Sequence, residues 1–365
     1  TELAGNHTDH QFGRVLAASV DVGIRARAAR RRDRRVCIHS RGYRPFTVSL
    51  DDLSVDPRAY GKPWALVRGV AAAILEAGGE VGGFEAWASS ALKPGGGLSS
   101  SAAFEILVGR IFNALYNGGT FTPEQLARFG QQAENRHFGK PSGLMDQMAS
   151  SVGSLVHIDF ADVAHPVIEN VSCDLAKYGY SLCITDTKGS HADLTPDYAA
   201  VPTEMRAAAA VLGQELLHGI TLEQLLSHAA EIREKAGDRA YLRAIHFVTE
   251  NVRVQEEVAA LKAEDFGTFL KTVKASGDSS FKYLQNVYTN HDITHQNVSV
   301  ALAVSDAILG SNGVSRVHGG GFAGTIQAFV KNEAVAEYKA ALDGVFGEGA
   351  CDVLMIRKYG GMQVL

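Results

Sequence analysis

Four stretches of this sequence bring together residue types that do chemistry. The first is Gly95-Gly96-Gly97-Leu98-Ser99-Ser100-Ser101, between an alternating stretch, Phe84 to Leu92, and a helical pattern, Ala102 to Tyr116. Glycines let a backbone approach an anion with several N–H groups turned toward it, and the positive end of the following helix adds attraction. The stretch predicts a phosphate cradle rather than a flexible connector, because connectors do not normally separate an alternating strand from an amphipathic helix. It is not a Walker loop, since G-x-x-x-x-G-K-[ST] occurs nowhere in the chain.

The second stretch, Gly319-Gly320-Gly321-Phe322-Ala323-Gly324-Thr325, satisfies G-x-G-x-x-G. A dinucleotide fingerprint needs a strand before it and a helix after it. Here Thr325 to Val330 alternates and is rich in strand formers, so the glycines are expected to link two strands or shape a tight loop. A structural turn and a loop supporting the first cradle are both open readings. The third stretch, Gly5-Asn6-His7-Thr8-Asp9-His10, offers an amide, two imidazoles and a carboxylate ahead of an apolar strand. H-x-x-H without a further ligand nearby is weak for a metal. Such side chains suit the hydroxyls of a polyol or sugar, with a polar loop satisfying its own backbone as the alternative. The fourth, Gly143-Leu144-Met145-Asp146-Gln147-Met148, sets one carboxylate amid apolar residues. A buried acid without partners is costly, so Asp146 reads as a helix cap or a working base.

The elements that must hold these residues are legible in the pattern. Val15 to Ile24 and Val36 to Leu50 look like strands, and the arginines between residues 25 and 35 are expected at a solvated turn. Trp64 to Ala77 suits a buried helix, and Thr122 with Gln125 forms a capping box around Pro123, opening a helix through His137 with Glu134 at the edge of its apolar face. Farther on, Tyr180 to Thr187 reads as a buried strand, 202–217 and 238–261 as helices, and 326–330 and 353–356 as strands.

Composition sets the outer bounds. A chain of 365 residues with 46% hydrophobic and 21% charged residues is expected to bury a large core in two domains or one elaborate α/β domain. The net charge of −5 argues against nucleic acid as the main partner. Four scattered cysteines without C-x-x-C point away from a zinc site or a disulfide framework. With no membrane-length apolar run and no signal-like start, the expectation is a cytoplasmic protein, a monomer without membrane partners.

Taken together, the four stretches resemble the motifs of the GHMP kinase superfamily and, within it, the galactokinases. GGGLSSSAA (Gly95 to Ala103) is similar to the central nucleotide motif, VHGGGFAGT (Val317 to Thr325) to the C-terminal glycine motif, and GNHTDHQFGRVLAASV (Gly5 to Val20) to the sugar signature. GLMDQMASSVG (Gly143 to Gly153) resembles the segment carrying the catalytic aspartate.

The resemblance implies a two-domain α/β (α+β) fold: a domain over 1–179 like the second domain of ribosomal protein S5, and a ferredoxin-like domain over 180–365. It implies phosphorylation of D-galactose at the anomeric hydroxyl, with ATP and Mg2+. By position, Asp146 matches the catalytic aspartate, and Glu134 with Ser101 the metal ligands. Asn6, His7, Asp9, Gly143 and Tyr198 fall on the sugar contacts. Gly95, Gly96, Gly97, Leu98, Ser99, Ser100, Ser101, Gly320 and Gly321 fall on nucleotide contacts, and Trp64 on the aromatic beside the adenine pocket.

Three departures stand out. Pro94 directly precedes the glycines, where the family's proline usually comes one residue earlier. Asn6 stands where the sugar signature commonly has Glu, which exchanges a charge for a donor. The family's arginine would fall immediately upstream of Thr1, so the natural protein is expected to carry further N-terminal residues including it. The competing readings are a kinase for N-acetylgalactosamine or arabinose, a galactose and ATP sensor without turnover, and a nicotinamide-dependent oxidoreductase resting on Gly319 to Gly324.

Overall fold

A computed structural model describes residues 1–93, 97–140, 142–163, 165–190 and 194–364. In chain order, β1 (Glu2–Ala4), β2 (Arg14–Ala18), β3 (Ile24–Arg30), β4 (Arg35–Ser40) and β5 (Phe46–Ser49) lead to α1 (Pro63–Glu76) and β6 (Phe84–Ser90). Then come α2 (Ser100–Tyr116), α3 (Pro123–Gln132), α4 (Met145–Val152), β7 (Leu155–Asp159), β8 (Val167–Val171) and β9 (Tyr180–Asp186). The helices α5 (Thr195–Val211), α6 (Leu222–Ser227), α7 (Ala229–Ala236), α8 (Asp238–Lys262), α9 (Phe266–Ser279) and α10 (Asn297–Leu309) follow. Strands β10 (Gly313–His318) and β11 (Thr325–Lys331), helix α11 (Val335–Phe346) and strand β12 (Cys351–Leu354) complete the order. No helix among the described residues is long and apolar enough to cross a membrane.

The chain divides into two compact units, one of Thr1, 18–154 and 357–365, the other of 2–17 and 155–356. This partition by contact differs from a cut between 179 and 180, because β1 and β2 pair in one sheet, order β1-β2-β7-β8, with strands from beyond residue 154. The second unit also contains the sheet β10-β11-β9-β12 and helices α5 to α11.

In the first unit the sheet runs β3-β6-β4-β5, with β4 and β6 parallel and the other pairs antiparallel. One face of this sheet is covered by helices whose apolar positions recur at helical spacing: Val67, Val70 and Ile74 on α1, Val108 and Phe112 on α2, Leu126 and Phe129 on α3. Phe84 and Phe112 meet edge to face, centroids 5.1 Å apart. Truncating such a buried ring to Ala costs about 3–5 kcal/mol, so this layer is the platform on which the N-terminus of α2 is held.

Local chemistry explains where the elements begin and stop. The expected capping box is present: Thr122 Oγ1 accepts from the Gln125 N–H, and Gln125 Oε1 accepts from the Thr122 N–H. The helix expected through His137 instead changes at Ala133 into a π-helical turn, Ala133–Phe138. The arginines expected at a turn are divided, with Arg25, Arg27 and Arg30 on β3 and Arg35 opening β4. The glycines of 319–324 join β10 to β11 as an antiparallel hairpin, as their strand-like flank suggested.

Candidate active site

In the first unit the site is built from the ends of three helices. Helix α2 starts at Ser100 after Ser99, whose backbone is left-handed at φ 46. Gly95 and Gly96 lie outside the described residues, while Gly97, Leu98 and Ser99 lead directly into the helix. Ser101 Oγ donates to Glu134 Oε1 at 2.8 Å. Glu134 belongs to the π-helical turn and is 1% exposed. Its other donors are Lys140 Nζ on Oε1 at 3.0 Å, with Ser142 Oγ at 2.6 Å and Gln147 Nε2 at 2.8 Å on Oε2. Burial drives this carboxyl upward, but the Ser142 bond and the Lys140 charge outweigh it, and the group is held below the usual range in its ionised form.

Asp146 sits in the first turn of α4, where the helix dipole favours an anion. The capping position is taken by Leu144, without a side-chain cap bond, so Asp146 is not the helix cap. The aspartate is half-buried and lines a cavity of ≈ 620 Å³ together with Leu98, Ser99, Arg110 and Arg357. Gly143 immediately precedes this turn. Beneath it, Gln147 also donates to Glu105 Oε2 at 3.0 Å. Burial, and next the Glu134 charge, push Glu105 up to about 8. Trp64, at the start of α1, is 38% exposed and tilted against Phe46, centroids 6.3 Å apart.

In the second unit the hairpin between β10 and β11 gathers the sugar-signature residues. His7 Nε2 meets the Gly320 carbonyl at 2.9 Å, Asn6 Nδ2 donates to the Gly319 carbonyl at 2.6 Å, and Tyr198 Oη donates to the Gly321 carbonyl at 2.8 Å. Tyr198 also stands edge-on to Phe322, centroids 5.2 Å apart. Gly321 has φ 78, and a Cβ there would lie 2.0 Å from the Asn286 carbonyl, so no larger residue fits this turn. Withdrawal from water, then the neighbouring His10, lower His7 to about 4, leaving a neutral imidazole. Asp9 and His10 open a short 3-10 turn beside it.

Asn6 is turned inward. Its side chain is fully buried, its Nδ2 donates to Glu2 Oε1 at 3.1 Å as well as to Gly319, and its Oδ1 accepts from Asn286 Nδ2 at 2.7 Å. The sequence alone did not point to Glu2 and Asn286, nor to Lys140, Ser142, Gln147 and Glu105. Two of them were within reach: Gln147 adjoins Asp146, and Glu105 follows Ser101 by four residues on one helix face.

Among the described residues no group of three or more His, Cys, Asp or Glu side chains stands ready for a metal ion. Ser101 and Glu134 nevertheless fit magnesium, which takes hard oxygen ligands and usually one or two protein carboxylates alongside phosphate and water oxygens.

Residues 65–154 match the family described as GHMP kinases N terminal domain. A galactokinase of Actinobacillus pleuropneumoniae is 30% identical over 340 residues, covering 91% of this chain and 84% of that protein. A galactokinase of Glaesserella parasuis is 31% identical over 334 residues, with the same coverage of 91% and 84%. The crystal structure of Lactococcus lactis galactokinase complexed with galactose superposes with a TM-score of 0.81 at 24% identity, over 100% of this chain and 92% of that one.

Proposed function

The chain belongs to the galactokinase family of the GHMP kinases, and on that footing we propose that it transfers the γ-phosphoryl group of ATP to the anomeric hydroxyl of D-galactose. The observation that carries the chemistry is the 2.8 Å contact of Ser101 with a buried, ionised Glu134, beside the helix whose first turn presents Asp146.

Phosphoryl transfer asks a protein mainly for positioning and for neutralising charge. The N-terminus of α2, with the stretch from Gly95 to Ser101, is proposed to take the phosphates, and Trp64 the adenine. Ser101 and Glu134 would hold Mg2+, which when bound neutralises charge on the phosphate oxygens. Asp146, half-buried and accessible from the cavity, accepts or orients the anomeric proton. Gly143, His7, Asp9 and Tyr198 are proposed to hold the sugar hydroxyls. The neutral ring of His7 is fixed through Nε2. We assign Asn6 to fixing the glycine turn that His7 meets, since its amide is engaged by Glu2, Gly319 and Asn286 while His7 Nε2 meets the adjacent Gly320 carbonyl. Gly320 and Gly321 keep a proposed nucleotide role through their backbone.

The test is product analysis after mixing the protein with MgATP and each of galactose, N-acetylgalactosamine and arabinose. Galactose 1-phosphate, identified by phosphorus NMR, with ADP in equal amount is expected. Preference for another sugar would overturn the substrate, and sugar binding without any ADP would leave a sensor. Glu134→Gln is expected to raise the magnesium concentration needed for half-maximal rate.

A further inference from the structure

Gln147 is fully buried, and its amide nitrogen donates to two carboxyl groups, Glu105 Oε2 at 3.0 Å and Glu134 Oε2 at 2.8 Å. Both N–H groups are thereby used, and because the ionised Glu134 can only accept, the amide has one productive orientation. The three residues come from three elements: Glu105 from α2, one turn after Ser101; Glu134 from the π-helical turn; Gln147 from α4, next to Asp146. Gly130 on α3 brings its backbone onto the pair, and a Cβ there would sit 3.0 Å from Glu105 Oε2 and 3.2 Å from Gln147 Cγ.

As a device for stability the trio is poor. Among the described residues Glu105 Oε1 and Gln147 Oε1 are buried without a hydrogen-bond partner, and a half-satisfied buried polar network is worse than an apolar core. What it does supply is geometry. One amide holds Glu134 on the side opposite Lys140, so that Oε1 remains the oxygen facing Ser101, and it ties the helix of Asp146 to both.

We propose that Gln147, backed by Glu105, is a positioning residue that sets Glu134 against Ser101 and holds the first turn of α4 in register with them. The inference rests on the assignment of Ser101 and Glu134 to magnesium. Outer partners of this kind typically cost about 10-fold or more in metal affinity or activity when removed.

The test compares Gln147→Leu with the double variant Glu105→Leu/Gln147→Leu. The single variant strands Glu105 and is expected to melt early, whereas replacing both polar partners by apolar groups of similar shape restores the fold. For the double variant three measurements are expected: a melting temperature near the wild type, Mn2+ affinity in the presence of a non-hydrolysable ATP analogue lower by about 10-fold, and a reduced kcat with unchanged galactose KM. The first two do not depend on turnover. A double variant with wild-type Mn2+ binding and kcat would overturn the proposal, as would one that fails to fold, since the pair would then serve the fold itself. Glu134→Gln run alongside separates the two ideas: unchanged Mn2+ binding in that variant refutes the metal assignment instead.

Discussion

Asp146 and Gln147 are consecutive residues in the first turn of α4, yet Gln147 is fully buried between two carboxyl groups while Asp146 is half-buried and lines a cavity. The amide anchors the turn that presents the acid. The Asp146 side chain makes no hydrogen bond among the described residues, so replacing it disturbs little else. Asp146→Asn is therefore expected to keep galactose and ATP affinity within a few-fold while lowering kcat by about 10²-fold or more, the scale of a positioned proton acceptor. Steady-state kinetics with binding measured separately checks this, and unchanged turnover would remove Asp146 from the chemistry.

Glu105 gives the fold a pH signature. Burial first, then the charge of Glu134, raises it from 4.5 to about 8, against the Gln147 bond and the Lys140 charge, with Asp146 adding slightly. Between these values the folded chain keeps a proton that the unfolded chain has released, so the contribution is full below the unfolded pKa and lost as pH rises through the folded one. Glu105→Gln cannot ionise and still accepts from Gln147. Its melting temperature, compared with the wild type, is expected to improve by several degrees between about pH 5 and about pH 9. Calorimetry at both ends reads the difference, and a gap independent of pH would show that Glu105 titrates as an ordinary carboxyl.

The sequence made some of this legible and hid the rest for identifiable reasons. Local signals transferred well: the Thr122 and Gln125 box, the amphipathic face of α2 and the strand-like flank of Gly319 to Gly324 each depend on near neighbours. Motif positions put Ser101 and Glu134 together, and they are in contact. Lys140 and Ser142 stayed hidden because they reach Glu134 only through the π-helical turn, a change of hydrogen-bond register that no periodicity announces. The inward turn of Asn6 was equally hidden, since its partners Asn286 and Gly319 lie some three hundred residues away in the chain.

Trp64 offers a test of the nucleotide side. At the start of α1, 38% exposed and backed by Phe46, it has a free ring surface at little cost to the core. Trp64→Ala is expected to raise the KM for ATP several-fold, with galactose KM and melting temperature nearly unchanged, because a base stacked on an aromatic ring gains about 1–3 kcal/mol. An ATP KM equal to the wild type would show that the adenine binds elsewhere.

The contact between Glu2 and Asn6 yields the last prediction. Glu2 Oε1 accepts from Asn6 Nδ2 at 3.1 Å and from Arg316 Nη2 at 2.6 Å, and burial, only partly offset by Arg316, pushes Glu2 up to about 7. Asn6→Asp keeps the shape but turns a donor into an acceptor facing two others, the Glu2 carboxylate and the Gly319 carbonyl. The cost is expected at about 3 kcal/mol, the scale of an uncompensated buried charge. Glu2→Gln alone is also destabilising, because it leaves Arg316, 1% exposed, without its carboxylate. In the double variant Glu2→Gln/Asn6→Asp the new amide can donate to the new carboxylate and the total charge is conserved. The two losses should then fail to add, with a favourable coupling of about 1–3 kcal/mol in a double-mutant cycle read by urea unfolding. Additive losses would mean that the Glu2 and Asn6 side chains do not share a hydrogen bond.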